Sequence, residues 1–299
     1  MSSLHILVSG SSGLVGSALL PALKASGYEV TRLVHGSNTG LNAIAWNPAQ
    51  PLSPECVSGF DAVVHLAGES IVGRWTSEKK QRIRDSRITG TRHLAEALAK
   101  APRPPRVLVS ASAIGYYGDR GDQILHEESP SGSGFLAEVC LGWESATVPA
   151  AQAGIRTAHI RIGVVLSTEG GALSKMLTPF RLGVGGNMGS GRQWWSWIAL
   201  DDLVGIILHI LKAEGLEGPV NAVSPNPVTN AEFTKTLGSV LSRPTILPMP
   251  AFAARLALGQ MADELLLASQ RVEPRRLLTS GYVFQQPDLR PALQVLLRK

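Results

Sequence analysis

Apolar residues run almost without interruption through five short stretches in the first half of the chain: 5–9, 28–34, 62–66, 106–110 and 157–162. Short runs of Val, Ile and Leu without polar alternation predict strands buried on both faces, as in a parallel sheet. Between them lie longer segments with helical patterning, 14–26, 76–99 and 135–151. Leu14, Leu19, Leu20 and Leu23 give the first an apolar side, and Pro102, Pro104 and Pro105 end the second before the next strand. Alternating strands and helices predict an α/β fold, a doubly wound parallel sheet covered on both faces.

After about residue 165 this regularity fades. Gly170, Gly171, Gly183, Gly185, Gly186, Gly189 and Gly191 predict a loop-rich stretch. A helix is expected over 201–212 with Asp201 at its cap, followed by a short strand near 220–222. From about Pro225 the pattern is mostly helical, over 230–241, 251–258, 263–269 and 289–297. Thr229-Asn230-Ala231-Glu232 has the form of a capping box at the start of this region. The expected division is 1–225 for the sheet domain and 226–299 for a smaller, mostly helical C-terminal domain.

The first strand runs straight into Ser9-Gly10-Ser11-Ser12-Gly13-Leu14-Val15-Gly16. Gly-x-x-Gly-x-x-Gly between a strand and an apolar helix is the spacing of a dinucleotide-binding turn. Gly10 allows the tight turn, Gly13 lets backbone N–H groups approach a pyrophosphate, and Gly16 allows close helix–strand packing. The anion then meets the helix N-terminus, so Ser12, Leu14 and Val15 join the glycines as candidate cofactor contacts. An NAD site would place a carboxylate at the end of the second strand to accept from the ribose 2′-OH. Here that strand ends Leu33-Val34-His35-Gly36-Ser37-Asn38, without one. NADP(H) is therefore expected ahead of NAD(H), with His35 facing the 2′-phosphate and Ser37, Asn38 or Arg32 assisting.

At 299 residues and 44% hydrophobic content the chain can bury a sizeable core. No run approaches the ~18–20 apolar residues of a membrane span, and no signal peptide is expected. Cys56 and Cys140 are too few for a disulfide framework, and a cytoplasmic setting suits them. No metal site is expected. The formal charge of +5 is dispersed, and its densest stretch, Lys79, Lys80, Arg82, Arg84 and Arg87, falls on one helix. That favours a phosphate-bearing cofactor or substrate over nucleic acid.

The stretches SGSSGLVG (9–16), DAVVHLAGE (61–69), GRWTSEKKQRIRDSR (73–87), SASAIGYYGD (110–119), FLAEVCLGWE (135–144) and GSGRQWWSWIALDD (189–202) together resemble the extended short-chain dehydrogenase/reductase superfamily. More narrowly, the chain resembles its atypical epimerase-like branch with a C-terminal domain of unknown function. PVTNAEF (227–233) and the ending from about Pro248 also fit. The resemblance implies a Rossmann domain closed by the smaller domain, with 166–200 contributing to the substrate cleft. It places Leu66, Ala67 and Gly68 beside the adenosine ribose and pyrophosphate, Arg87 and Arg82 at the cofactor, and Val165 near the nicotinamide. Glu69, Arg192, Gln193 and Trp194 become candidate substrate contacts, with Glu69 equally suited to a helix cap and the tryptophans to core.

Members of this superfamily usually work with Ser or Thr and a Tyr-x-x-x-Lys pair, the phenol acting as acid or base and the lysine lowering its pKa. The chain holds no Tyr-x-x-x-Lys, and alignment of the helix puts Leu136 and Cys140 at those positions. The serine position falls on Ala113 or Ser112. Tyr116, Tyr117 and Ser112 are the candidate substitutes, and the tyrosines equally suit packing. Two readings stand: an NADP(H)-dependent oxidoreductase or epimerase acting on a small or sugar-like substrate, and a catalytically silent dinucleotide-binding sensor or protein-interaction module. A homo-oligomer is compatible with either.

Overall fold

The computed structural model describes residues 4–36, 40 and 42–298. Seven strands, β1 His5–Ser9, β2 Glu29–His35, β3 Ala43–Trp46, β4 Ala62–His65, β5 Val107–Ala113, β6 Arg156–Ile162 and β7 Gly218–Ala222, form one sheet. Their order is 7-6-5-4-1-2-3, and every neighbouring pair is parallel. The order reverses at β1, so the crevice outside the C-terminal ends of β1 and β4 is where such a sheet takes a ligand. Strand β3 escapes the sequence reading because it is a four-residue edge strand with only Trp46 buried.

The helices are α1 Leu14–Ala25, α2 Ser77–Ala99, α3 Phe135–Ser145, α4 Val148–Gln152, α5 Gly171–Arg181, α6 Leu200–Lys212, α7 Asn230–Leu241, α8 Ala251–Leu258, α9 Arg275–Thr279 and α10 Leu289–Leu297. Strand alternation sorts the core into two layers. Ile6 and Val8 pack with Leu19 and Leu23 of α1 and with Leu203, Ile206 and Ile210 of α6. Leu7, Leu33 and Val63 point the other way, onto Leu94 and Leu98 of α2 and Ala150 of α4. Each fully buried aliphatic side chain contributes about 1.5–3 kcal/mol, and these two layers fix where the strand ends lie.

Four expectations need correction. The single helix over 135–151 is two helices, because Pro149 has no N–H to continue the ladder. The Thr147 hydroxyl also donates to the Glu144 carbonyl at 2.8 Å. The stretch read as loops contains α5, and two short strands, Val164–Leu166 and Trp197–Ala199, pair in parallel. Asp201 does not cap α6: the helix begins at Leu200 behind Ala199, and Asp201 is exposed in the first turn. In place of the expected helix over 263–269 stands one π-helical segment, Ala262–Leu267. The capping box at Thr229 forms as expected, with Thr229 Oγ1 accepting from the Glu232 N–H and Glu232 accepting from the Thr229 N–H.

A second core gathers Leu173, Leu177 and Phe180 of α5, Trp195, Trp197, Phe233 and Leu237 of α7, and Leu293 of α10. The 164–199 stretch is thus packed with the C-terminal helices. Ile124–Leu125, just after β5, pairs in parallel with Arg271–Val272, a second tie between the sheet domain and the C-terminal region. Among the described residues no helix is long and apolar enough to cross a membrane.

Asp202, not Asp201, is the working carboxylate of α6. It is fully buried and accepts from the Gln285 and Gln286 N–H groups at 2.8 Å and from the Tyr282 hydroxyl at 3.1 Å. It pins the segment between α9 and α10 to the sheet domain. Asp202→Ala leaves two backbone N–H groups without their acceptor and is expected to cost about 2–4 kcal/mol. Urea unfolding measures this, and a loss below about 1 kcal/mol would show that the segment is held by other contacts.

Candidate functional site

The turn after β1 is built by exclusion. Gly10 has φ +69°, and a Cβ there would stand 2.6 Å from the Leu66 carbonyl carbon in the loop leaving β4. A Cβ on Gly16 would overlap the Gly10 carbonyl oxygen. Gly13 differs: its φ is −77°, and its Cβ position meets only the Gly10 oxygen, at 3.4 Å. Gly10 and Gly16 are therefore required by the fold, whereas Gly13 leaves open space. Ser12 and Gly13 are exposed, and no side chain caps the N-terminus of α1. Unpaired N–H groups facing open space fit a pyrophosphate.

Leu66, Ala67 and Gly68 leave β4 directly beside this turn. Helical spacing aligns Lys79, Arg82, Ser86 and Arg87 of α2 along the side facing the loop. The Ser86 hydroxyl accepts from the Glu69 N–H at 3.0 Å, and Arg87 Nη1 donates to the Glu69 carbonyl at 2.9 Å. Arg87 also stacks on Trp143, 4.9 Å from the ring centroid, and its guanidinium lies about 3.2 Å from where a Gly68 Cβ would stand. Burial lowers its pKa from the ordinary value. Arg87 thus carries the loop. Lys79 Nζ binds Glu69 Oε1 at 2.7 Å and, by that hydrogen bond, holds the carboxyl below its usual range. Arg82 is largely exposed, with its Nε 3.8 Å from the same oxygen.

At the end of β2, His35 is exposed. Arg32 extends its guanidinium toward Gly40, Nη2 standing 3.6 Å from that residue's Cβ position. Ser37 and Asn38 lie outside the described residues.

Strands β5, β6 and β7 carry Ser112, Arg161 and Asn221 in register, one beside the next. Arg161 meets Glu144 of α3 through Nε and Nη2, both at 2.8 Å, and the Ser112 hydroxyl donates to the same carboxylate at 2.7 Å. Arg161 Nη1 donates to the Tyr117 hydroxyl at 2.9 Å, which donates in turn to Asn221 Oδ1 at 2.7 Å. Burial is the largest single influence on the Arg161 cation and works against it, but the hydrogen bonds and charge of Glu144 and Tyr117 together outweigh that and raise its pKa. Glu127 lies in the same patch, its Oε1 on the Asn221 and Arg276 N–H groups, and burial raises its carboxyl.

This row changes the reading of the catalytic candidates. Tyr117 is fully buried, its hydroxyl is engaged on every side, and burial pushes its phenol up to about 12. Of its two expected roles, catalytic substitute and packing, the first is corrected and the second fits this burial. Ser112 is likewise buried with its proton on Glu144. Tyr116 alone of the three is partly exposed, its ring 3.5 Å from the Arg161 guanidinium carbon. Cys140 is buried, and burial pushes its thiol up to about 12, so it carries no charge.

Of the 189–197 segment, Gln193 is buried and donates to the Met188 and Leu266 carbonyls, so it fixes its own loop and is withdrawn from substrate contact. Arg192 is exposed, while Trp194 is half-buried, gives its indole N–H to Asp122 at 2.9 Å and stacks under Arg271. Val165 sits in the short strand opposite Ile198. Glu144, Arg161 and Glu264 were not singled out by the sequence. Arg161, an arginine inside a strand buried on both faces, was the available signal for the first two, because such a charge needs a partner.

A cleft of about 260 Å³ opens where Gly115 and Leu136 face the C-terminal region. Asp119 lines the sheet-domain side; Asp263, Glu264 and Gln270 line the other. Glu264 reaches across it, its two oxygens accepting from the Phe135 and Leu136 N–H groups at 3.1 and 2.7 Å. The α3 N-terminus is thereby capped by a carboxylate from a segment more than a hundred residues away in sequence.

Residues 6–222 match the family model described as the NAD dependent epimerase/dehydratase family, and residues 249–296 match a domain of unknown function, DUF1731. The chain is similar to an epimerase family protein, Mb2239, of Mycobacterium bovis: 43% identical over 295 residues, covering 98% of this chain and 97% of that one. Among solved structures, human epimerase family protein SDR39U1, crystallised with NADPH, aligns with TM-score 0.90 and 37% identity over 98% of this chain and 99% of that one. A nucleoside-diphosphate sugar epimerase from Corynebacterium glutamicum aligns with TM-score 0.83 and 41% identity, covering 99% of this chain and 58% of that one. Glycine turn, reversed strand order and whole-length similarity agree: the chain belongs to the NAD-dependent epimerase/dehydratase family, in its epimerase-like branch with a DUF1731 C-terminal domain.

Proposed function

We propose that this chain binds NADP(H) at the Gly10–Gly16 turn and uses it for hydride transfer on a small molecule held in the cleft beside Leu136. The carrying observation is the difference among the three glycines. Two are required by close backbone approach, and the third keeps space open in front of an uncapped helix N-terminus. The human relative crystallised with NADPH supports the same cofactor. The end of β2 favours the phosphorylated form, since it offers His35 and Arg32 and no carboxylate to the adenosine ribose.

When bound, the nicotinamide would accept or give the hydride, while a substrate hydroxyl loses its proton or a carbonyl gains one. This chain's residues must then handle that proton. Tyr116 is the remaining phenol, and Arg161 lies against its ring. The Arg161 charge is already matched by Glu144, so it favours a phenolate less than the free lysine of a Tyr-x-x-x-Lys pair would. Slow turnover follows from that neutralised pair.

One observation favours a second reading, in which the nucleotide is held and not turned over. Leu136 has no proton to move and Cys140 is buried and neutral, so the ordinary acid–base positions are empty of chemistry. On that reading the protein is a dinucleotide-binding sensor or interaction module.

Gly13→Val is expected to fold normally and to lose NADPH binding by at least about a hundredfold, since the added side chain occupies the phosphate space. Gly16→Val is expected to unfold or aggregate. Intrinsic fluorescence titration with far-UV circular dichroism reads both, and NADPH affinity unchanged in Gly13→Val would move the cofactor elsewhere. For the chemistry, 4-deuterated NADPH incubated with a carbonyl and polyol panel should give stereospecific deuterium transfer. Tyr116→Phe should slow it by about a hundredfold, the usual scale of a lost general acid. Tight NADPH binding with no transfer to any substrate would select the silent reading.

A further inference from the structure

Nucleoside-diphosphate sugars need cations around their phosphates, and the cleft beside Leu136 is built the other way. We infer that it selects a small, uncharged or cationic molecule rich in hydroxyl or amino donors, and that it rejects nucleoside-diphosphate sugars and other anions. This rests on the redox reading above and supplies its substrate class.

Size is the first argument. At about 260 Å³ the cleft is smaller than the roughly 300–1,000 Å³ sites that enclose drug-sized ligands, so it suits one ring or a short chain. Charge is the second. Asp119, Asp263 and Glu264 line it, against one cation, Arg255, whose Nε is held by Asp263 at 2.8 Å. The α3 N-terminus, which would welcome an anion at this cleft, already carries the Glu264 carboxylate.

Hydrogen-bonding capacity is the third. Asp119 Oδ1 accepts from the Gly121 and Ser269 N–H groups, and its Oδ2 has no partner among the described residues. Asp263 Oδ1 is on Arg255, which leaves its Oδ2. Gln270, only 9% exposed, donates Nε2 to the Gly118 carbonyl at 3.1 Å and keeps its Oε1 acceptor unpaired among the described residues. A wall of acceptors calls for a ligand of donors. The amide oxygen and the two open carboxylate oxygens are the positions that a ligand's donors would meet.

The experiment uses NADPH-saturated protein and four probes: glucosamine, glucose, gluconate and UDP-glucose. Affinities are read by ligand-observed NMR. Glucosamine should bind most tightly and glucose next, with gluconate and UDP-glucose at least about tenfold weaker than glucosamine, the scale set by one or two partly screened carboxylates. The Asp119→Asn, Asp263→Asn double variant keeps an acceptor oxygen at both places and should fold. It should narrow the gap between glucosamine and gluconate about tenfold with NADPH affinity unchanged. UDP-glucose or gluconate binding as tightly as glucosamine, an unchanged gap in the variant, or no binding of any probe would each overturn the inference. An NADPH titration of the same sample separates the two claims. If NADPH does not bind, the cofactor reading fails by itself, and the probes are ranked on the nucleotide-free protein, where the same order is expected.

Discussion

Two backbone segments occupy the same few ångströms at the switch point of the sheet, and the rest of the molecule is arranged around that approach. The turn after β1 and the loop after β4 come within contact at Gly10 and Leu66, with the start of α1 pressed onto the same turn at Gly16. Any side chain at either glycine would push β1 from β4 or α1 from the sheet. The approach leaves the α1 N-terminus bare and pointed at the crevice, which makes a structural requirement into an anion site. From there outward, α2 fixes the β4 loop through Ser86 and Arg87, so the cradle is supported on both sides.

On the neighbouring strands the same fold has been put to a different use. Where related enzymes keep mobile protons, this chain has a buried Arg161–Glu144 pair that also takes up Ser112 and Tyr117. Removing one partner of such a pair is costly because the other is left charged and buried. The row therefore behaves as a fixed polar layer between β5, β6, β7 and α3. Cys140 fits beside this layer as a small, buried, neutral side chain, where an ammonium would be cut off from water, while Leu136 presents an apolar side chain to the cleft. In the proposed function the proton-handling step falls to the partly exposed Tyr116, and the substrate to the cleft beside Leu136.

Much of this was legible in the chain. Continuous apolar runs gave five of the seven strands to within a few residues, and the later strand near 220–222 gave a sixth, because two-faced burial leaves a plain signature. β3 was invisible, being short and at the edge. Helix α5 was hidden by Pro179 and the glycines around it, and the break before α4 required weighing Pro149 against a favourable apolar pattern. The glycine turn could be read from spacing alone, since Gly10 and Gly16 answer close backbone approaches and Gly13 keeps the space before the helix open. The polar row could not. Glu144 and Arg161 are 17 residues apart and meet only after α3 folds back along β6. Glu264 reaches α3 across 128 residues, and nothing in its own neighbourhood announces that contact. Tyr116 and Tyr117 are adjacent in sequence yet opposite in fate, a distinction set by which ring points at Asn221.

The cradle is intact and prefers a phosphorylated nucleotide. Parallel fluorescence titrations of the purified protein with NADPH and NADH test that most directly. NADPH is expected to bind more tightly, by about tenfold or more, the scale of one charge-assisted contact to the 2′-phosphate. Equal affinities, or a preference for NADH, would contradict it.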